Sequence, residues 1–463
     1  MNGALARLAR LAFVALLPLP GTPPPTAPPL RAGAAVIECA ALTSYDFSAL
    51  PEAPTRILSA TLQPASEGFS EYCSVKGYVA PQVQFEIRLP TRDWNGKYFQ
   101  AGCGGFCGSI PIGACDEALR RGYAVAAENS GHVGGITDAL WALDSPALEI
   151  DWGFRSVHVV AVAAKAVIAR FYGQPARFAY FQGCSTGGRQ GLMEAQRFPD
   201  DFDGIIAGAP ANRQNFLAPL AQAYLERVNR DATRRVILGT EKLPLISAAV
   251  YAACDGLDGL VDGQIDDPRQ CPFNPEVLRC PDGLPGATCL SSAQVEVLHR
   301  FYDSPRDSRG NALYPGGLPR GSEVGWGLGN LVIGTDERLS GAGTFANQVL
   351  KYLAFRKDPP PDYDLYQFDF DTDPPRLREM AQVYNADDPN LAAFRGRGGR
   401  LILWHGWADP LITPYGTTAP SPTTRTLFAR WEGVKPPAAG SGCSYSRGFT
   451  IVAAALAPTV WTG

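Results

Sequence analysis

The sequence lacks an excess of charge of either sign. Its 41 Lys and Arg residues nearly balance 45 Asp and Glu residues, which leaves a formal net charge of -4. A nucleic-acid-binding surface needs clustered positive charge and a disordered acidic chain needs a large negative excess, so neither class of protein is indicated. The 463 residues, 46% of them apolar, are enough for one large domain with an insertion or for two or three ordinary domains.

Long hydrophobic runs are also scarce. The run at residues 11–19 follows Arg7 and Arg10 and is too short to span a bilayer comfortably. This pattern predicts a secretory signal peptide over residues 1–34, and a disordered apolar tail on a cytosolic protein is the alternative. We find no other membrane-spanning candidate in the sequence, so we expect a secreted or periplasmic protein without a membrane contact after signal removal. Eleven cysteines agree with an oxidising compartment, and their odd number leaves at least one unpaired.

What the chain does contain is a series of short, continuous apolar runs that alternate with helical patterns. Continuous runs are typical of strands buried on both faces of a parallel sheet, so they predict the α/β class. The Ala-rich segment 157–171 is predicted as a helix that connects two of these strands. The predicted strands are residues 84–89, 97–101, 123–127, 178–182, 204–207 and 401–404.

The alternation of strand and helix patterns does not continue over residues 211–399, which are rich in Pro, Gly, Asp and Cys. We predict that this block is a lid domain inserted into a core made of residues 35–210 and 400–417. Residues 418–463 form an anomalous tail, which is discussed below.

One motif suggests a nucleophile. Gly183-Cys184-Ser185-Thr186-Gly187 fits the pattern G-x-S-x-G, with a predicted strand before it and a predicted helix over residues 189–198 after it. In that setting Ser185 projects its hydroxyl at the carboxyl end of the sheet, and the N–H of Thr186 can hold a developing oxyanion. The alternative is a serine that only caps the helix.

A second segment, LILWHGWADPLITP at residues 401–414, supplies a candidate acid. Its strand ends at His405-Gly406, and Asp409 follows in a loop. Asp409 therefore stands where the acid of a Ser-Asp-His triad belongs in chain order. The alternative is an aspartate that caps a turn before Pro410.

The elbow motif, the run AGCGGFCG at residues 101–108, a cysteine-bounded Asp-Gly loop and HGWADPLITPYGT together resemble the tannase and feruloyl esterase family. The resemblance extends over residues 39–417. It implies an α/β-hydrolase core with a mainly parallel sheet and a large inserted lid. It also implies a Ser-Asp-His triad that hydrolyses esters of aromatic carboxylic acids, so the expected partner is a small aromatic ester, with no nucleic acid. A glycine N–H from residues 102–105 resembles the second oxyanion donor. In this family a cysteine directly before the serine forms a disulfide with one directly after the catalytic histidine, and Cys184 matches the first.

The acidic loop between Cys254 and Cys271 suits calcium, because it offers several hard oxygen ligands on a glycine-rich turn. Its spacing is not that of an EF-hand. The resemblance implies a structural Ca²⁺ here, together with disulfides Cys254–Cys271 and Cys280–Cys289. A metal-free cluster of Asp-Gly turns is the alternative. The candidate ligands are Asp255, Asp258, Leu260, Asp262 and Gln264.

The catalytic histidine is missing. The chain has only His132, His158, His299 and His405, and none follows Asp409. Where the family carries its His-Cys pair, Gly442 precedes Cys443. We expect His405 to be a structural residue and His158 to be a packed or capping one. Without a base Ser185 is a poor nucleophile, because nothing takes its proton.

A shifted reading frame accounts for this absence. If the third base of each codon is joined to the first two of the next, residues 449–453 (Phe-Thr-Ile-Val-Ala) can be read as His-His-Cys-Gly. Residues 418–463 are therefore predicted to be frame-shifted.

The leading function is a serine ester hydrolase of aromatic acid esters. The main alternative is an inactive, calcium-bearing member that binds aromatic esters or glycans, and an acyltransferase or peptidase on the same core is a third.

Overall fold

The computed structural model describes residues 33–66, 68–281 and 286–418, and the backbone of a short strand at Ala454–Ala455. Nearly all of the predicted signal peptide and of the predicted frame-shifted tail lies outside the described residues. Both therefore stay predictions.

A nine-stranded sheet organises the described residues in the order β1-β2-β3-β5-β4-β6-β7-β8-β9. The five neighbouring strands from β5 to β8 pair in parallel, and the pairings beyond them on either side are antiparallel. The sheet thus has the parallel centre that the continuous apolar runs predict. The strands are β1 (Thr55–Gln63), β2 (Tyr72–Val79), β3 (Val83–Pro90), β4 (Lys97–Ala101), β5 (Ala124–Glu128), β6 (Phe178–Cys184), β7 (Gly204–Gly208), β8 (Arg400–Trp404) and β9 (Ala454–Ala455).

Each predicted strand is present within a residue or two of its expected bounds, but β1 and β2 were not predicted from the sequence. Both lie in the antiparallel part of the sheet, and β1 exposes several of its side chains. A strand with one partly solvated face carries no continuous apolar run, which explains why the search for such runs missed it.

The helices of the described residues range from single turns to several turns in both parts of the chain. The longest is α3, which covers the predicted Ala-rich segment and ends at Gly173 in a left-handed conformation (φ 67°). The helices are α1 (Asp116–Arg120), α2 (Pro146–Ile150), α3 (Ser156–Tyr172), α4 (Thr186–Arg197), α5 (Gln214–Phe216), α6 (Ala223–Val228), α7 (Leu243–Cys254), α8 (Ser292–Tyr302), α9 (Glu323–Trp326), α10 (Gly341–Tyr352), α11 (Arg378–Tyr384), α12 (Ala392–Gly396) and α13 (Pro414–Thr418).

One helical stretch, Pro146–Tyr172, is long and apolar enough to cross a membrane by length and composition alone. Of its most apolar window, 67% is buried inside the protein. Val160, Ala164 and Ile168 on α3 belong to the apolar core that packs against the sheet. The stretch is therefore a core helix of this fold.

Residues 211–399 build apolar clusters of their own. In one cluster the buried members run from Leu225 to Ile333 and include Phe301 and Trp326. A second cluster mixes residues of this segment, such as Leu350, with Phe106 and Trp152 from the first half of the chain. The segment thus packs closely on the core, and its boundaries as a lid domain stay a prediction.

Candidate active site

Ser185 lies on a sharp turn between the end of β6 and the start of α4. Its backbone has φ 61° and ψ -119°, a conformation that is uncommon for a residue other than glycine. The turn is tight, because a Cβ atom on Gly183 would lie 2.5 Å from the carbonyl carbon of Gly187. Likewise, a Cβ atom on Gly188 would lie 2.2 Å from the carbonyl oxygen of Gly208. This geometry is that of a nucleophile elbow, in which strain at the serine holds its hydroxyl outward.

The sheet brings this turn to the same edge as the segment that carries Asp409. Cys184 is aligned with Gly208 on β7, and Gly208 is aligned with Trp404 on β8. The N–H of Ser185 donates to the carbonyl of Gly208 at 3.0 Å. Since neighbouring strands lie about 4.8 Å apart, the ends of β6 and β8 are separated by about 10 Å. Parallel strands alone therefore place Ser185 and the loop after β8 on one face of the molecule.

The first residue of α4, directly after Ser185, is tied to the loop of residues 102–108. Thr186 is the first residue of α4, where a backbone N–H has no partner within the helix. Its side-chain hydroxyl donates to the carbonyl of Gly105 at 2.7 Å, which fastens the loop of residues 102–108 to the start of the helix. The loop and the nucleophile turn are thus held together.

Most backbone N–H groups of residues 102–108 already donate hydrogen bonds, so few of them remain as candidates for a second oxyanion donor. In the part of the chain that the structure describes, no protein acceptor is found for the N–H groups of Gly104 and Gly105. Gly104 also faces open space, since nothing lies within 4 Å of a Cβ atom placed on it. The engaged N–H groups are those of Gly102 (to Gln182), Cys103 (to Gln190), Phe106 (to Ile136), Cys107 (to Gly104) and Gly108 (to Asn129).

A disulfide and a buried glutamine brace the same loop. Cys103 and Cys107 are joined by a disulfide across Gly104 and Gly105. Gln190, on the first turns of α4, accepts the N–H of Cys103 at 3.1 Å and donates to Glu128 at 3.3 Å. Burial raises the pKa of Glu128 to about 7. The sequence analysis predicted neither the Cys103–Cys107 bond nor the Gln190 contacts, because both depend on tertiary neighbours.

Asp409 is buried, and its carboxylate is held by the backbone. Its Oδ1 atom accepts hydrogen bonds from the N–H groups of Leu411 and Ile412 at 2.9 and 3.0 Å. Its Oδ2 atom lies 3.4 Å from Nε2 of His405. These contacts fix the orientation of the Asp409 carboxylate within the loop after β8.

His405 is a structural residue, as the sequence suggested. Its side chain is fully buried, with Nδ1 2.9 Å from the Thr417 hydroxyl and Nε2 2.8 Å from the carbonyl oxygen of Ile412. Its two ring nitrogens therefore contact α13 and the loop after β8, respectively.

The other three histidines lie outside the loop that carries Asp409. His132 stacks on Trp141 with ring centroids 3.9 Å apart, and its Nδ1 lies 3.1 Å from the carbonyl oxygen of Ser130. Its buried Nε2 atom has no hydrogen-bond partner among the described residues. His299 pairs with Glu276 at 3.1 Å. His158 lies between two carboxylates and is discussed below. The structure describes all four histidine rings, and no hydrogen bond joins any of them to the Ser185 hydroxyl.

The predicted calcium loop is closed by Cys254–Cys271, and the neighbouring Cys280–Cys289 bond is also present. Asp255 is nearly buried and accepts the N–H groups of Asp262 and Gly263. The carboxylates of Asp258 and Asp262 accept the N–H groups of Leu260 and Gln264, at 2.8 and 3.1 Å. The donor set of carboxylate and carbonyl oxygens on one short loop suits a hard cation such as Ca²⁺.

Most of the remaining described cysteines are also disulfide-bonded. Cys184, directly before Ser185, is disulfide-bonded. Cys39 and Cys73 form a bond that ties the segment before β1 to β2. Among the described cysteines, Cys115 is a free, buried thiol whose pKa is raised to about 12, chiefly by burial. Four or more disulfides in one chain fit a protein that folds in an oxidising compartment.

Comparisons with known proteins identify the fold and the family. A family model described as tannase and feruloyl esterase matches residues 68–420. An uncharacterized esterase of Xanthomonas campestris is 33% identical over 401 residues, which covers 80% of this chain and 68% of that protein. A mono(2-hydroxyethyl) terephthalate hydrolase of Piscinibacter sakaiensis is 32% identical over 419 residues, which covers 75% of this chain and 68% of that protein.

The solved structure of feruloyl esterase B from Aspergillus oryzae matches with a TM-score of 0.72 at 23% identity, over 84% of this chain and 79% of that one. This likeness confirms the predicted α/β-hydrolase fold. Together with the family model, which spans the nucleophile elbow and the loop of Asp409, the matches show that the chain belongs to the tannase and feruloyl esterase family, a family of serine carboxylic-ester hydrolases.

Proposed function

We propose that this chain is built to hydrolyse esters of aromatic carboxylic acids, such as feruloyl or galloyl esters, through an acyl-enzyme. The observation that carries the proposal is the elbow conformation of Ser185 at the sheet edge that also bears Asp409. The names of the family and of its relatives, which include esterases for aromatic acids, support the substrate class.

In the proposed reaction Ser185 Oγ attacks the ester carbonyl carbon while a histidine takes the hydroxyl proton. The oxyanion is held by the N–H of Thr186 and by that of Gly104 or Gly105. The histidine returns the proton to the departing alcohol, and water then attacks the acyl-enzyme by the same route to release the acid. Asp409 orients the histidine and stabilises its charged form.

The histidine itself is the residue that this chain does not supply. We propose that the region from about residue 418 onward is read in a shifted frame and that the restored frame encodes a His-Cys pair. Sequencing the gene from the codon for Leu401 to beyond its present end tests this directly. One inserted or missing base supports the proposal, whereas confirmation of the given frame contradicts it.

A fluorophosphonate probe tests the role of Ser185. In the frame-restored chain we expect one probe molecule per chain on Ser185, and none in the Ser185→Ala variant. Absence of labelling in a folded, frame-restored chain would contradict the assignment of the nucleophile.

A second function is favoured by the state of the four histidines. Because no hydrogen bond joins any of the four described rings to Ser185, a catalytically inactive protein that binds aromatic esters or glycans is the second candidate. Saturable binding of an aromatic ester without turnover above the Ser185→Ala level would support this alternative.

We further propose that the loop closed by Cys254–Cys271 holds a structural Ca²⁺ through Asp255, Asp258 and Asp262 and the carbonyls of Leu260 and Gln264. The loop lies in the predicted lid, so the ion would stabilise the fold without taking part in the reaction.

The predicted signal peptide and the disulfides support secretion or export to the periplasm, and the charge balance argues against a nucleic-acid partner.

A further inference from the structure

Three metal-binding side chains meet at a place that the esterase reaction does not use. His158 is on α3, Glu194 is near the end of α4, and Asp201 is in the loop before β7. One ligand atom from each lies within 4.8 Å of the other two. Since Glu194 is nine residues along the chain from Ser185, at about 1.5 Å per helical residue it lies about 13 Å further along the helix axis. The cluster is therefore separate from the candidate active site.

The carboxylate of Glu194 is the strongest indication that an ion binds in this cluster. Its side chain is 1% exposed, and neither carboxylate oxygen has a hydrogen-bond partner among the described residues. A buried carboxylate without a partner is costly, so natural proteins pair it, protonate it or use it to coordinate a metal. One of its carboxylate oxygens lies within 4.8 Å of a ring nitrogen of His158 and of a carboxylate oxygen of Asp201.

The His158 ring has a carboxylate beside each of its two nitrogens. The Nδ1 atom of His158 faces Asp201 Oδ2 at 2.5 Å, and its Nε2 atom lies 2.8 Å from the carboxylate of Glu52. A histidine that ligates a metal through one nitrogen commonly donates the other N–H to a carboxylate, which fixes its tautomer and orientation. The second oxygen of Asp201 is held by Lys165 at 3.4 Å, so Asp201 Oδ2 is the oxygen left for the ion.

The types of ligand atom decide which ion the cluster suits. One imidazole and two carboxylates form a donor set that suits zinc, which takes His nitrogen and Asp or Glu oxygen in sites with three protein ligands.

We propose that His158 Nδ1, Glu194 and Asp201 Oδ2 form a structural site for Zn²⁺ or a similar divalent transition ion. Two ligands at about 2.1 Å from a tetrahedral ion lie about 3.4 Å apart. The His158 Nδ1–Asp201 Oδ2 pair, which is 2.5 Å apart, therefore needs to open by about 1 Å, and the wider pairs, all within 4.8 Å, need to close by at most about 1.4 Å. The ion takes the place of the proton between His158 and Asp201. It links α3 to the end of α4, the helix that begins directly after Ser185. The competing occupant is a proton shared between Glu194 and Asp201.

Zinc titration of the full, untagged chain tests the proposal. The chain is freed of transition metals, kept in calcium-saturated buffer so that the acidic loop does not compete, and titrated with ZnCl₂ alone. We expect one equivalent of bound zinc by elemental analysis, and visible d–d absorption when Co²⁺ replaces it. Failure to bind a stoichiometric ion would overturn the site and favour the shared proton.

Variants assign the ion to these residues. Glu194→Gln should bind less than about a tenth of an equivalent, because a ligand is lost. Glu52→Gln changes a side chain that is 73% exposed, so it should fold normally and weaken zinc about 10- to 100-fold. Glu323→Gln, an equally buried glutamate outside the cluster, should still bind one equivalent. Wild-type zinc affinity in both Glu194→Gln and Glu52→Gln would contradict the assignment, and if Glu194→Gln does not fold, Glu52→Gln decides.

Discussion

The Nε2 atom of His405 lies 2.8 Å from the carbonyl oxygen of Ile412, and the same ring is held by Thr417 on its other side. The histidine nearest to Asp409 in the sequence is thus a buried brace for the loop that carries Asp409. Both ring nitrogens take part in these contacts, so His405 helps to fix the position of Asp409.

A His405→Gln substitution should therefore act on stability. We expect a loss of about 1–3 kcal/mol in the free energy of unfolding, because at least one buried hydrogen-bonding group is left without its partner. Urea denaturation measures this loss. His299→Gln is the matched control, since His299 is partly exposed and pairs with an exposed Glu276. Equal, small effects of both substitutions would contradict a bracing role for His405.

The elbow predicts a strict requirement for glycine at residue 183. A Cβ atom there would lie 2.5 Å from the Gly187 carbonyl carbon, so Gly183→Ala must displace the backbone of the turn. We expect it to destabilise the protein by about 1–3 kcal/mol. Gly135→Ala is the control, because nothing lies within 4 Å of its added Cβ atom. Thermal unfolding of both variants checks the prediction, which fails if Gly183→Ala unfolds like Gly135→Ala.

Removal of calcium should lower thermal stability, because an ion that binds only the folded state stabilises it in proportion to its occupancy. We expect the melting temperature to fall by several degrees on chelation and to recover when CaCl₂ is restored. Asp255→Asn should lose this response. Asp231→Asn, which alters an aspartate in a turn outside the loop, should keep it. A melting temperature that chelation leaves unchanged would argue for a metal-free loop.

Buried glutamates should make the protein less stable as the pH rises from about 4.5 to about 7. Burial raises the pKa of Glu323 to about 7, while hydrogen bonds from Tyr302 and Gly321 oppose this only in part. The folded state then binds the proton more tightly than the unfolded state, so this contribution is complete below pH 4.5 and is lost as the pH passes 7. It amounts to at most about 3 kcal/mol, at about 1.4 kcal/mol per pKa unit.

Glu323→Gln should flatten this pH dependence, because an amide does not titrate. Denaturant unfolding of both proteins at pH 5 and pH 8 measures the difference. Some slope should persist, since burial also raises the pKa of Glu128 and Glu149 to about 7. An unchanged slope in Glu323→Gln would show that Glu323 is ionised in the folded state throughout.

The sequence predicted the parts of this structure that depend on local patterns. The parallel strands were recognised from continuous apolar runs, and the nucleophile turn from the glycines on either side of Ser185. Strand β1 (Thr55–Gln63) was missed because an antiparallel strand with a partly exposed face has no such run.

Other features depend on residues that are distant in sequence. The Cys39–Cys73 bond joins segments 34 residues apart, and many pairings were possible for eleven cysteines. His158 looked like an ordinary histidine on an apolar helix. Its neighbours Glu194 and Asp201 come from the end of another helix and from the loop that follows it, so only the packing of α3 against α4 reveals the cluster.

The most direct test of the central claim compares the chain as given with the frame-restored chain in hydrolysis of an aromatic ester such as methyl ferulate. Because loss of the histidine from a serine triad costs up to about 10⁶-fold in turnover, the restored chain should be faster by several orders of magnitude. Its Ser185→Ala variant should fall back to the level of the given chain. Equal rates in the two chains would contradict the account, since Ser185 would then be either active without the restored histidine or inactive with it.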